Sequence, residues 1–288
     1  MTDSEQAQAG TAEGQGPVEI DEELARRIED KREELFEKFE IPDGFPEAVL
    51  EEARERSEDV EGQIAAALEE RRDLRELTTW TTDPIDAQDF DDAISIEVRE
   101  DEIVLWVHIA DVTHYVTPDT AMWDSARERA NTVYLPGYTV HMLPPILAET
   151  VCSLVPHEDR LAHTVEMHLD PEDLGYEEID IYKSVVRSDA RLTYSEAERI
   201  LDDPEEAEQF LDPEGTSGRD LAAKTREVWD LAEEMHEQRK EDGSLVLNPS
   251  RDRAHTIIEE CMLKANKAVT HELMWDRGVE AMYRVHPQ

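Results

Sequence analysis

Leu24, Ile28, Leu35 and Phe39 recur at helical spacing, and Pro42-Asp43-Gly44 ends the run, which predicts a first helix from about Ile20. A second helix is expected near Pro46 and Val49, and a third segment carries Ile64 and Leu68. From Trp80 the period changes. Ala93 to Val98, a charged turn at Arg99-Glu100-Asp101, and Ile103 to Ile109 read as a hairpin. Tyr138 to Met142, His163 to Leu169 and Glu178 to Val186 are strand-like, with a helix expected over Ala121 to Ala130. Thr193-Tyr194-Ser195-Glu196 is a capping-box pattern that opens a helix. Acidic loops near 202–218 follow, then long helices over Leu221 to Gln238 and Ala254 to Trp275. Early strands and late helices predict a mixed α+β domain over 71–288. It is preceded by a helical region at 19–70 and a polar, acidic, disordered tail at 1–18.

Charge changes the picture more than length does. The 288 residues carry a formal net charge of −43, and Arg outnumbers Lys about threefold. The acid runs the whole length, so this is not one acidic tail. Such self-repulsion destabilises a compact chain at low salt. At molar salt the Debye length is about 3 Å and the repulsion is screened. The composition therefore predicts a halophilic, cytoplasmic protein. It excludes the basic footprint of an ordinary nonspecific nucleic-acid binder. Cys152 and Cys261 lie far apart with no CxxC spacing, which predicts two reduced, buried thiols and neither a zinc site nor a disulfide framework. No signal peptide or membrane-spanning run is visible.

The candidate chemistry sits in one stretch, Thr82-Asp83-Pro84-Ile85-Asp86-Ala87-Gln88-Asp89-Phe90-Asp91-Asp92-Ala93. It places five carboxylates in ten residues, directly before the Ala93 to Val98 strand pattern. A charge run in an acidic chain is usually a solvated loop. Here Asp83, Asp89, Asp91 and Asp92 flank a turn-forming Pro, so a loop entering a strand brings them toward one point. Clustered carboxylates raise each other's pKa, and a hard cation such as Mg²⁺ or Mn²⁺ neutralises them. An EF-hand does not fit. Counted from Asp89, its sixth position is Ile94 where that loop needs Gly. Asp86 reads as a turn residue.

The same run resembles the signature of the ribonuclease II/R family, whose catalytic RNB domain carries a related aspartate-rich motif. Further blocks resemble that family in the same order. They are Arg72 to Arg75, His108 to Val116, Val133 to Gly137, Met142 to Pro144, Cys152 to Leu154, Asp159 to Ala162, Ala190 to Tyr194, Glu259 to Asn266 and Tyr283 to Pro287. The resemblance spans roughly residues 70 to 288. It implies a metal-dependent 3′→5′ exoribonuclease that hydrolyses single-stranded RNA to nucleoside 5′-monophosphates with Mg²⁺, or Mn²⁺ in its place. It matches Asp83, Asp89, Asp91 and Asp92 to the family's active-site aspartates, with Asp92 serving chemistry above all. Tyr134 matches a residue that stacks on a terminal base, and Tyr194 and Glu260 match residues that hold the 3′ nucleotide. Arg284 and His286 lie in a matching block without an assigned role.

Four departures qualify the resemblance, one of them a stretch between Asn248 and His255 that is shorter than in many relatives. Leu247 stands where the family places an aromatic clamp. No run of short strands supports the OB-type domain that bacterial relatives carry at the N-terminus. The family's arginine-rich, phosphate-gripping motif falls beyond this chain, so the resemblance implies the acidic half of a site without its cationic half. Two alternatives stand beside an active enzyme. One is a catalytically incomplete RNA-binding fragment completed by a second polypeptide, the other a metal-dependent phosphoesterase with another substrate.

Overall fold

The computed structural model describes residues 22–42, 44–135, 138–210, 218–243 and 252–279. The expectations for the tail at 1–18, for Leu247, and for Arg284 and His286 lie outside them. The chain packs as two units, each assembled from separated stretches. One joins the residues up to Glu58 with Val112–Val151, and the other joins Asp59–Asp111 with Cys152–Gln288.

The first unit holds helices α1 (Glu22–Phe39) and α2 (Glu47–Arg56), then α4 (Val112–Tyr115) and α5 (Ala121–Arg129). A short hairpin of β5 (Val133–Leu135) and β6 (Tyr138–Val140) and a π-helical turn, Ile146–Val151, complete it. Arg129 ties it together. Its guanidinium donates to the Pro42 carbonyl at 3.3 Å, to His141 O at 3.2 Å and to Gly44 O, and lies 3.9 Å over the Phe45 ring. The Met122 N–H donates to Glu52 Oε2 at 2.9 Å, which fastens α5 to α2.

The second unit is built on a seven-stranded mixed sheet of order β1-β8-β7-β4-β3-β2-β9. Its strands are β1 (Arg72–Asp73), β2 (Trp80–Asp83), β3 (Asp92–Val98), β4 (Ile103–Ala110), β7 (Asp159–Leu169), β8 (Tyr176–Arg187) and β9 (Ala190–Thr193). The helices are α3 (Val60–Ala67), α6 (Tyr194–Asp202), α7 (Gly218–Glu241) and α8 (Arg253–His271). The expected hairpin is β3–β4, paired from Asp92↔Ile109 to Val98↔Ile103. Ile94, Ile96, Leu105, Val107, Val165, Met167 and Leu192 form one core with Ile200, Leu221, Val228, Leu231, Ile257 and Cys261 of the helices. Each fully buried Leu or Ile contributes about 1.5–3 kcal/mol, so this core carries the unit's stability. The capping box is present. Thr193 Oγ1 accepts from the Glu196 N–H, and Glu196 accepts from the Thr193 N–H. Cys152 and Cys261 are both buried and unbridged. No helix among the described residues is long and apolar enough to cross a membrane.

A buried polar row crosses the sheet. Thr79 Oγ1 pairs with Ser95 Oγ at 2.7 Å, Ser95 Oγ with His108 Nε2 at 3.1 Å, and His108 Nδ1 with Thr164 Oγ1 at 2.9 Å. Thr164 Oγ1 then meets Ser184 Oγ at 2.6 Å. Hydroxyls satisfy a neutral ring and offer no counter-charge, and burial pushes the His108 pKa down to about 3. Between the unfolded value near 6.5 and the folded value the unfolded chain binds the extra proton. Stability is therefore present above pH 6.5 and is lost as pH falls toward 3. Urea titrations at pH 7 and pH 5 are expected to show a loss of up to about 1.4 kcal/mol per pH unit that His108→Gln lacks. Equal pH slopes in the two chains contradict a neutral, buried His108.

Candidate active site

The acidic stretch is the β2–β3 connection. Asp83 is the last residue of β2 and Asp92 the first of β3. Because the two strands are antiparallel neighbours, paired at Trp80↔Ile94, their loop-side ends return to the same place. Trp80, buried on β2, and Ile94 and Ile96, buried on β3, fix the two strands in the sheet, so one carboxylate from each strand comes to one end of it.

The loop is fastened at several points. The Ala87 N–H donates to Pro84 O at 3.1 Å and closes a turn that leaves Asp86 exposed. The Phe90 N–H donates to Ser153 Oγ at 2.9 Å, and the Leu154 N–H donates to Phe90 O at 2.8 Å. The Ala110 N–H donates to Asp91 O at 2.9 Å. Arg160 in turn donates from Nε to Ser153 O at 2.9 Å. The blocks around Cys152 to Leu154, Asp159 to Ala162 and His108 to Asp111 therefore act as a backing for the acidic loop.

The carboxylates feel one another. Burial, then the Asp92 and Asp91 charges, push Asp83 up to about 7, against the opposing pull of the Thr81 hydroxyl and the Arg191 guanidinium. Asp91 keeps surface exposure, yet surrounding protein mass and the Asp89 and Asp92 charges raise it to about 6. Burial also raises Asp92. All four aspartates thus lie within one electrostatic neighbourhood. Asp83 Oδ2 and Thr81 Oγ1 are buried near one another without completing a well-formed hydrogen bond, so the pull of the hydroxyl on Asp83 is weak.

Oxygen-only donors of high charge density, one of them an orphaned buried carboxylate oxygen, suit a hard divalent cation. Among the described residues, no three His, Cys, Asp or Glu side chains stand at the spacing that encloses a metal. That is compatible with Mg²⁺, which is generally held by one or two carboxylates and completed by water and substrate phosphate. The donor set fits such an ion without forming a closed cage for it.

The other expected residues fall in different surroundings. Tyr194 opens α6, directly after Thr193, which pairs with Asp83 in the parallel β2–β9 register. Its ring stacks on His255 with centroids 3.6 Å apart and planes 11° from parallel. Asp252 holds His255 through Nδ1 at 2.5 Å. Glu260 lies on α8, only 3% exposed, and accepts from His236 Nδ1 at 2.7 Å and from Arg239 Nη2 at 2.6 Å. Tyr134 lies on β5 in the other unit and is 68% exposed.

Two cations of these surroundings, Arg191 and Arg239, carry little signal in the sequence. Arg191 lay within the quoted Ala190 to Tyr194 block, and only its strand alternation with Thr193 hinted at a shared face. His236 and Arg239 stand three apart on a long helix, a spacing that places them on one side of it.

A mixed α+β domain that presents a carboxylate-rich strand connection, backed by conjoined motif segments, defines the class of this protein. Residues 71–288 match the RNB domain family, and the chain belongs to it. It is 36% identical over 262 residues to Ribonuclease R of Chlamydia muridarum, an alignment covering 86% of this chain and 36% of that protein. It is 39% identical over 265 residues to Ribonuclease R of Aquifex aeolicus, covering 88% and 37%. Among solved structures it is similar to Mycoplasma genitalium RNase R in complex with ribose methylated single-stranded RNA. There the TM-score is 0.78 at 25% identity, with 90% of this chain and 42% of that chain covered. The chain thus spans well under half the length of each of these relatives.

Proposed function

We propose that this chain acts in the 3′→5′ hydrolysis of single-stranded RNA to nucleoside 5′-monophosphates, with Mg²⁺, or Mn²⁺ as a substitute, at the β2–β3 connection. The observation that carries the reading is the convergence of Asp83, Asp91 and Asp92 at one end of the sheet, with pKa values raised by burial and mutual repulsion. The names of the similar proteins and the family match support it. A divalent cation, when bound, supplies positive charge that offsets both the phosphodiester and the carboxylates and makes a water more acidic.

The remaining work falls to the chain's own residues. Asp83, Asp89, Asp91 and Asp92 would hold the cation, Asp83 and Asp92 from the ends of two neighbouring strands. Tyr194, half-buried with one ring face covered by His255, is placed beside the Asp83 strand end to stack a base by exchange with that imidazole, and such stacking tolerates any unpaired base. Tyr134 offers a second exposed ring on β5. Glu260, bonded to Arg239 and His236, holds the 3′ nucleotide by exchanging one of these partners for a ribose hydroxyl. Product analysis by mass spectrometry tests the reading. Nucleoside 5′-monophosphates are the expected product, and 3′-phosphates contradict it.

A net charge of −43 supports work in the cytoplasm at high salt. The metal, stacking and shape contacts proposed here do not depend on counterion release. The RNA dissociation constant is expected to change less than about tenfold between about 0.5 and 2 M KCl, where a many-phosphate contact loses far more. A collapse of binding over that range contradicts this salt reading.

A second reading is that hydrolysis needs protein from outside this chain, a second polypeptide included. It is favoured by the coverage, which corresponds to 36% of the Chlamydia protein. RNA binding without shortening, restored by the complementary part of such a relative, is its signature.

A further inference from the structure

The sequence reading left the acidic site without a cation, and the fold supplies one from an edge strand. β9 pairs in parallel with β2, and the register sets Arg191 opposite Thr81 and Thr193 opposite Asp83. From there Arg191 Nη2 donates to Pro84 O at 2.6 Å and to Ile85 O at 3.2 Å. These are the two carbonyls that directly follow Asp83. The same guanidinium lies 5.3 Å from the centroid of the Phe90 ring, and Phe90 separates Asp89 from Asp91. One side chain therefore touches the limb of the loop that leaves β2 and the limb that enters β3.

Its Nε is buried and completes no hydrogen bond. A buried donor or acceptor left so costs about 1–3 kcal/mol. A residue kept only to add stability is badly placed here. A guanidinium can reach two carbonyls and cover a ring at once because its donors form a rigid planar fork, which a lysine ammonium lacks.

We propose that Arg191 is the positioning residue of the acidic loop. By gripping the Pro84 and Ile85 carbonyls and covering Phe90, it fixes the Asp83 end against the Asp89–Asp92 end and sets the geometry in which the carboxylates take a divalent cation. The second half of this statement rests on the proposed metal-dependent function. The first half does not.

Arg191→Lys and Arg191→Gln in the full chain test it, first without metal. Hydrogen exchange of peptides covering 84–92 is expected to accelerate at least about tenfold in both variants, a loss of about 1.4 kcal/mol in local protection. Peptides from β7 and β8 are expected to exchange as in the parent. Mn²⁺ binding, read from the electron paramagnetic resonance signal of the free ion, is expected to weaken at least about tenfold in both variants.

Three results overturn the proposal. One is parental exchange at 84–92 in Arg191→Lys. Another is acceleration spread equally through β7 and β8, which makes Arg191 a general stabiliser. The third is tighter Mn²⁺ binding by Arg191→Gln with unchanged binding by Arg191→Lys, the result of a mere counter-charge. If the parent chain binds no Mn²⁺, the metal reading fails on that result alone, and the exchange data still decide the role of Arg191.

Discussion

Asp92→Asn is expected to abolish shortening of a single-stranded oligoribonucleotide, with a rate loss of at least about a hundredfold, the scale of removing one well-placed charged group from a reacting centre. The same substitution is expected to leave the chain folded and its melting temperature equal or higher. Asp92 carries a burial-raised pKa, so its ionised form is a burden on the empty fold, and an isosteric amide relieves it. RNA binding is expected to persist, because one negative charge near the phosphate is gone. Loss of activity together with a raised or equal melting temperature separates a chemical role from a structural one. A variant that loses activity only as it loses its fold contradicts the assignment.

The second large effect lies behind the loop. Arg71 and Asp111 form an ion pair at 2.6 Å with side chains only 4% and 0% exposed. Asp111 Oδ1 also meets His163 Nε2 at 3.2 Å, and the Asp111 N–H donates to Leu161 O at 2.9 Å. Asp111→Ala leaves a buried guanidinium without its counter-ion, a change that costs about 3–5 kcal/mol. Replacing both partners by apolar residues, as Arg71→Met with Asp111→Leu, is expected to recover most of that loss. Urea midpoints of the three chains check this. A single-variant loss below about 1 kcal/mol contradicts a fully desolvated pair. Asp111 sits in a family-like block, yet its work here is to hold the backing of the acidic loop.

The contrast between Asp92 and Asp111 shows what was legible in the sequence. Local periodicity was enough for the β3–β4 hairpin, for the helix opened by Thr193, and for the long α7 and α8. These elements are set by contacts within a few residues. The acidic loop was legible as a cluster, because a strand end at Asp92 follows from the alternation after it. Pairings between distant segments were not legible. Nothing in residues 190–193 announces that they lie parallel to 80–83, and so Arg191 was not placed beside the acid it steadies. Nothing near Glu260 announces that His236 and Arg239 hydrogen-bond to it. Nor does a local pattern show that Val112–Val151 packs with the N-terminal helices rather than with the sheet that flanks it in sequence. Each of these depends on tertiary contact alone, where side-chain charge type gives no address.

Metal-dependent RNA hydrolysis at the β2–β3 carboxylates is the proposal on which the other expectations rest. The most direct measurement incubates a 5′-labelled single-stranded oligoribonucleotide with the chain in molar KCl and Mg²⁺, with and without a chelator. A ladder that shortens from the 3′ end and disappears when the metal is chelated is expected. A ladder that persists under chelation, or an uncut oligonucleotide in the presence of folded chain and Mg²⁺, contradicts it.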